Sequence, residues 1–258
     1  VIIFRMSAYS LQSILSGLRK AVNDYKMISD GDHVVVGLSG GKDSIVLVTA
    51  LKAYQRFSPE KFSLTAVNIN IGFKDTKEEE VERLKAYLAD IDVPFIREDT
   101  QIAQIVFDER KESNPCSLCA KMRRGALNDV INRIGANKLA LGHNADDVAE
   151  TLLMSLIFEG RLSTFQPVSY MDRSGVTLIR PLIYIDECDV KSIANKMNMP
   201  IVHNPCPSNF NSRRQWAKDK ISELGKEIPF AKDRIKSAIF HPERNNLWVK
   251  PTDENGKD

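Results

Sequence analysis

Val34-Val35-Val36-Gly37-Leu38-Ser39-Gly40-Gly41-Lys42-Asp43-Ser44 decides how this chain is read. The β-branched apolar run predicts a buried strand, and the apolar periodicity over 43–57 predicts a helix behind it. Between them, two consecutive glycines permit positive φ and let backbone amides approach an anion with no Cβ in the way. The unpaired amides of the helix start, with the dipole behind them, suit phosphate. Ser39 and Ser44 can add hydroxyl hydrogen bonds and Lys42 a charge. Asp43 is a poor phosphate ligand by itself and points to a divalent cation, Mg²⁺ by the usual phosphate chemistry. The segment is neither G-x-x-x-x-G-K-[ST] nor G-x-G-x-x-G. Ser-Gly-Gly alone would suit any capped turn; Lys-Asp-Ser attached after a buried strand turns the reading toward a nucleotide.

Outward from this loop the pattern repeats. Strands are predicted at 33–38, 62–70, 94–98, 137–141 and 176–180. Helices are predicted at 43–57, 76–91, 101–110, 119–134, 145–159 and 186–198. Such alternation gives right-handed βαβ units, hence an α/β fold with a mostly parallel sheet and helices on both faces. Ligands in these sheets bind beyond the carboxyl ends of the strands. Residues 10–27 carry apolar positions at helical spacing, and 208–240 reads as one or two helices. The expected division is a helical segment at 1–30, the main domain at 31–207 and a helical extension at 208–258 whose end beyond Lys250 frays.

The composition bounds the function. The chain has 258 residues, 43% hydrophobic and 27% charged, which excludes a disordered tail, a collagen-like fibre and a disulfide miniprotein. No run reaches the eighteen or so apolar residues of a membrane span. The Val1-Ile2-Ile3-Phe4 start is too short for a signal-peptide core and no basic segment precedes it, so a cytoplasmic location is expected. With a formal charge of only +2, nucleic-acid binding must rest on where the basic residues sit.

Two more strand ends fit an ATP site. Asn68, closing the second strand, can offer polar atoms to an adenine edge. Leu139-Ala140-Leu141-Gly142-His143-Asn144-Ala145-Asp146-Asp147 runs from a strand through a glycine into a helix that opens on two aspartates. Capping and the helix dipole favour aspartates there in any case. With His143 beside them they also form a candidate Mg²⁺ and acid/base locus.

Of the four cysteines, Cys116 and Cys119 stand one turn apart at a helix start, where the dipole favours thiolate. Cys206, between two prolines, is the candidate third ligand; Cys188 reads as an ordinary helix residue. Structural zinc would take His203 as a fourth ligand, whereas a [4Fe–4S] cluster on three thiolates would keep one iron open. Spacing does not separate the two. Lys121, Arg123 and Arg124 flank the first pair, and Arg213, Arg214, Lys218 and Lys220 follow the third cysteine with Trp216 among them. Local basic patches beside one centre suit a phosphate backbone.

Together these residues resemble the tRNA 2-thiocytidine synthetase (TtcA) family of the PP-loop ATP pyrophosphatases, over roughly 31–229. The resemblance is carried by Ser39 to Ser44, by Pro115-Cys116-Ser117-Leu118-Cys119-Ala120-Lys121-Met122-Arg123-Arg124-Gly125, and by Ala140-Leu141-Gly142-His143 with Asp146-Asp147. Ile179-Arg180-Pro181-Leu182 and Cys206 with Arg214-Gln215 extend it. It implies an adenine nucleotide alpha hydrolase-like fold and a homodimer that replaces the C2 oxygen of an anticodon-loop cytidine with sulfur. By the same resemblance Cys116, Cys119 and Cys206 hold a [4Fe–4S] cluster. Gly37, Leu38 and Ser39 to Ser44 bind ATP with Asn68, Gly142, His143 and Asp146. Asp43, Arg123 and Asp147 are the expected catalytic residues; Lys121, Arg124, Arg213, Arg214 and Lys218 the expected tRNA contacts. Sulfide or a cysteine desulfurase would supply the sulfur. Asn144 stands where better-known members have a second His. Thiolation of a tRNA uridine, and a non-catalytic ATP- and zinc-binding RNA-binding or redox-sensing module, are the alternatives.

Overall fold

A computed structural model describes residues 11–73, 75–110, 115–203, 205–206 and 212–248. Six strands form one sheet: β1 (His33–Gly37), β2 (Ser63–Asn70), β3 (Phe95–Asp99), β4 (Lys138–Ala140), β5 (Val168–Met171) and β6 (Val176–Ile179). Their order is β3-β2-β1-β4-β6-β5. All neighbours run parallel except β5, which pairs antiparallel with β6. The strands read as near-continuous apolar runs because helices cover both faces; Val34, Val35 and Val36 are wholly buried.

The helices are α1 (Gln12–Asp24), α2 (Lys42–Tyr54), α3 (Glu78–Asp90), α4 (Pro115–Arg133), α5 (Ala145–Glu159), α6 (Glu187–Lys196), α7 (Arg213–Glu227) and α8 (Ala231–Phe240). The strand order turns between β1 and β4, so the crevice beyond their carboxyl ends is where a ligand fits. Into it open the β1–α2 loop, the β4–α5 turn and α4.

Two elements differ from the sequence expectation. The 101–110 helix is largely a π-helical turn at Gln104–Glu109. The β5 strand, absent from the expected set, forms a hairpin with β6 through Asp172-Arg173-Ser174-Gly175, where Gly175 has φ 69°. The apolar stripe of α1 is spent on the main core: Ile14, Leu15, Leu18, Ala21 and Val22 join the cluster that holds Ile45, Leu47 and Ile183. No helix among the described residues is long and apolar enough to cross a membrane.

Candidate functional site

The β1–α2 loop is shaped by its glycines. Gly40 has φ 82°, and a Cβ there would lie 2.8 Å from the Val202 Cβ. The Val202 N–H also donates to the Gly40 carbonyl at 2.9 Å, so the segment leading toward Cys206 is fastened to the loop. The Ser44 hydroxyl donates to the Gly41 carbonyl and lies 3.2 Å from the Ser39 hydroxyl. Across the loop, Gly142 lets β4 end against α2: a Cβ would sit 2.9–3.1 Å from backbone atoms of Asp43 and Ser44.

A cavity of about 390 Å³ opens above these strand ends. Val67, Ile69, Leu127, Leu139, Leu141 and Leu178 give it apolar walls, and Ser39, Asp43, Ser44, His143, Arg123 and Arg124 supply polar atoms. That size and mixture suit a purine nucleoside with charge at one end. Asp43 also lines a second chamber of about 260 Å³, with Asp146, Asp147, Glu150, Glu187, Arg214 and Lys218. A smaller cleft of about 90 Å³ shares Ser39, Ile69 and Arg123 with the first and adds Asn68, Val202 and Pro205.

The charges in the second chamber are paired in a chain. Lys42 Nζ reaches Glu187 Oε1 at 2.8 Å and Asp43 Oδ2 at 3.0 Å. Lys218 holds the other oxygen of Glu187 at 2.6 Å. The Glu187 N–H donates to Asp146, whose second oxygen pairs with Lys232 at 2.6 Å. Arg214 reaches Asp147 at 2.7 Å and Glu150 at 3.3 Å. Burial opposes the charge of Lys42, but Glu187 and Asp43 outweigh it and raise its pKa. Burial likewise opposes the charge of Glu187, yet Lys218 and Lys42 hold it down at about 2. Burial, then the neighbouring Asp147, pushes Glu150 up to about 7. An incoming phosphate must therefore compete with carboxylates for Lys42.

His143 is different. Burial first and the Arg180 guanidinium second push it down to about 4, so it is neutral at pH 7. Its ring lies 4.9 Å from that of Phe165, over which the Arg180 guanidinium also sits at 4.8 Å. Its buried Nδ1 has no partner among the described residues. A neutral imidazole is a hydrogen-bonding group here and not a cation.

Asn144 caps α5. Its side-chain oxygen accepts from the Asp146 and Asp147 N–H groups, and Asp147 accepts from the Asn144 N–H in return. Its amide donates to Asp43 Oδ1 at 3.0 Å. Asn thus joins the two strand ends while closing a capping box.

The other sequence-predicted residues fall as follows. The Asn68 amide donates to the Leu38 carbonyl at 2.7 Å and braces β1 against β2; it faces the small cleft, not the apolar cavity. Asp146 and Asp147 line the charged chamber and not the apolar cavity. Arg214 and Lys218 are committed to carboxylates, whereas Lys121, Arg124 and Arg213 are exposed. Glu187, Glu150, Arg180 and Phe165 escape sequence reasoning as site residues. Ile179-Arg180-Pro181-Leu182 was the one signal for any of them.

All four cysteines are free of disulfides. Cys116 and Cys119 sit in the first turns of α4, and Ala120 and Arg123 just behind them line the nucleotide-sized cavity. Burial pushes the Cys119 thiol up, Arg123 pulls against it, and Cys206 and Cys116 add to the rise. The third thiol is therefore within electrostatic reach of Cys119. Among the described residues no three Cys, His, Asp or Glu side chains stand close enough to share one ion. In donor type the three thiols, soft and unbridged, fit an iron–sulfur cluster. Cys188 is exposed on α6.

Residues 12–223 match the family model described as a PP-loop domain. The chain belongs to the PP-loop sulfurtransferase family. The tRNA-cytidine(32) 2-sulfurtransferases of Syntrophotalea carbinolica and Pelobacter propionicus are 35% and 36% identical to it. Those alignments cover 88% and 86% of this chain and 88% and 84% of the relatives. Among solved structures, the U34-tRNA thiolase NcsA from Methanococcus maripaludis, with its [4Fe–4S] cluster, superposes with a TM-score of 0.74 at 26% identity. It covers 93% of this chain and 81% of its own.

Proposed function

We propose that this enzyme thiolates a tRNA cytidine at C2, consuming ATP. One observation carries the reading: the cysteine-bearing helix α4 and the glycine turn line the same cavity, through Ala120 and Arg123 on one side and Ser39, Asp43 and Ser44 on the other. The relatives' substrate supports the choice of base.

Adenosine occupies the apolar cavity and its phosphates meet the loop amides, Ser39, Ser44 and Lys42. Asp43, the carboxylate shared by both chambers, is the best placed to hold Mg²⁺, with Asp146 as a further candidate. The base carbonyl oxygen attacks the α-phosphorus, the bond to pyrophosphate breaks, and Lys42 with the loop amides stabilises the leaving charge. Sulfur at the sulfide level then bonds to C2 while the C2–O bond breaks and AMP departs; no electrons are exchanged. A [4Fe–4S] cluster bound by Cys116, Cys119 and Cys206 would supply a soft position that presents sulfur to the activated base. Arg123, between thiols and cavity, steadies charge at that step, and Asp147 positions Arg214. Sulfide or a cysteine desulfurase is the sulfur source, and the working form is a homodimer.

Anaerobically purified protein is expected to show a broad absorbance near the visible–ultraviolet boundary from a thiolate-bound cluster. Cys206→Ala should lose that band while still binding ATP. A colourless wild-type protein with tightly bound zinc would contradict the reading.

A further inference from the structure

We propose that Phe158, Trp216 and Arg213 form a stacking platform for unpaired RNA bases beside the active site. Phe158 closes α5 with 41% of its surface exposed, amid Leu156, Ile157 and Leu162 at 45–56%. An apolar patch of this kind marks a binding surface. Two groups from α7 frame it. The Trp216 ring meets the Phe158 ring at 5.1 Å and 66°, and the Arg213 guanidinium lies over that ring at 4.8 Å. Arg213 makes no ion pair among the described residues, unlike Arg214 next to it, which reaches Asp147 and Glu150. An exposed cation stacked on an exposed ring presents a π face and a positive charge together, the combination that splayed RNA bases and their phosphates use.

Position supports an RNA occupant over a second protein surface. Phe158 lies eleven residues beyond Asp147 on α5, about 16 Å along the helix axis. That is roughly five stacked nucleotide steps, fewer if the strand is extended. A nucleotide in the active site thus leaves its neighbours within reach of the platform. The inference rests on the tRNA reading only for which RNA occupies it.

The test uses full-length protein carrying Trp248→Phe, so that Trp216 is the remaining tryptophan. Titration with tRNA, and separately with a short unstructured RNA, should quench its fluorescence. Phe158→Leu, which keeps an apolar side chain at the helix end, and Arg213→Gln should each weaken tRNA binding about fivefold or more, the lower range for losing a base–aromatic stack. ATP affinity should be unchanged. Equal tRNA affinity in wild type and both variants would overturn the platform and leave the tRNA reading standing. Quenching by the short RNA without tRNA binding would keep the platform and sink the tRNA reading. If Phe158→Leu alters the oligomeric state in light scattering while RNA affinity holds, the patch is a contact between copies and the proposal fails.

Discussion

At the scale of single residues, two glycines and one asparagine carry sharp expectations. Gly40→Ala must place an L residue at φ 82° and move Val202. It should cost about 1–2 kcal/mol from the backbone alone, read in urea melts, and remove ATP binding. Gly41→Ala, whose Cβ would meet only the Ser39 hydroxyl at 3.4 Å, should leave stability within about 0.5 kcal/mol. Asn144 performs two tasks that substitution can separate. Asn144→Ala should lose the cap, about 1 kcal/mol. Asn144→Asp keeps an acceptor for the Asp146 and Asp147 N–H groups but sets a carboxylate against Asp43, so stability should hold better while pyrophosphate release collapses. If Asn144→Asp turns over like wild type, the amide link from Asn144 to Asp43 has no catalytic part.

Among elements, α5 holds three of the five carboxylates that line the charged chamber and gives a pH signature. Glu150 has its pKa raised to about 7 by burial and Asp147. A raised carboxylate favours the folded state fully below its unfolded value near 4.5, and that contribution fades as pH climbs through about 7. Glu150→Gln, which stays neutral, should therefore be more stable than wild type at pH 8, by about 1–3 kcal/mol. The difference should vanish below pH 4.5; a constant difference across that range would assign the effect to packing. The elements also show what the sequence discloses. Strands buried on both faces, such as Val34–Val36, announce themselves by composition, and the loop after them by its glycines. The short, half-exposed β5 has no such run, and only the Asp172–Gly175 turn hints at it. Glu187 was illegible for another reason: its meaning lies in Lys42, 145 positions earlier, and in Lys218 on a helix outside the repeating βαβ pattern.

Across the whole molecule, the fold acts by convergence. The glycine turn, the β4–α5 capping box, the paired thiols of α4 and the segment bearing Cys206 all reach the carboxyl end of one sheet. The C-terminal helices are tied to it through Lys218–Glu187 and Lys232–Asp146. The stripe on α1, by contrast, faces inward and joins the core. Lys42 is shared between Glu187 and Asp43, so a phosphate has to compete with two carboxylates for it. Lys42→Ala should thus raise the KM for ATP and lower the rate of AMP formation together, in a steady-state assay. The most direct measurement is nucleoside mass spectrometry on tRNA incubated anaerobically with the reconstituted protein, ATP and sulfide. A 2-thiocytidine peak that appears with wild type and disappears with Cys206→Ala is the expected result. An unmodified cytidine pool, or equal thiolation by the variant, would contradict sulfur transfer at Cys116, Cys119 and Cys206.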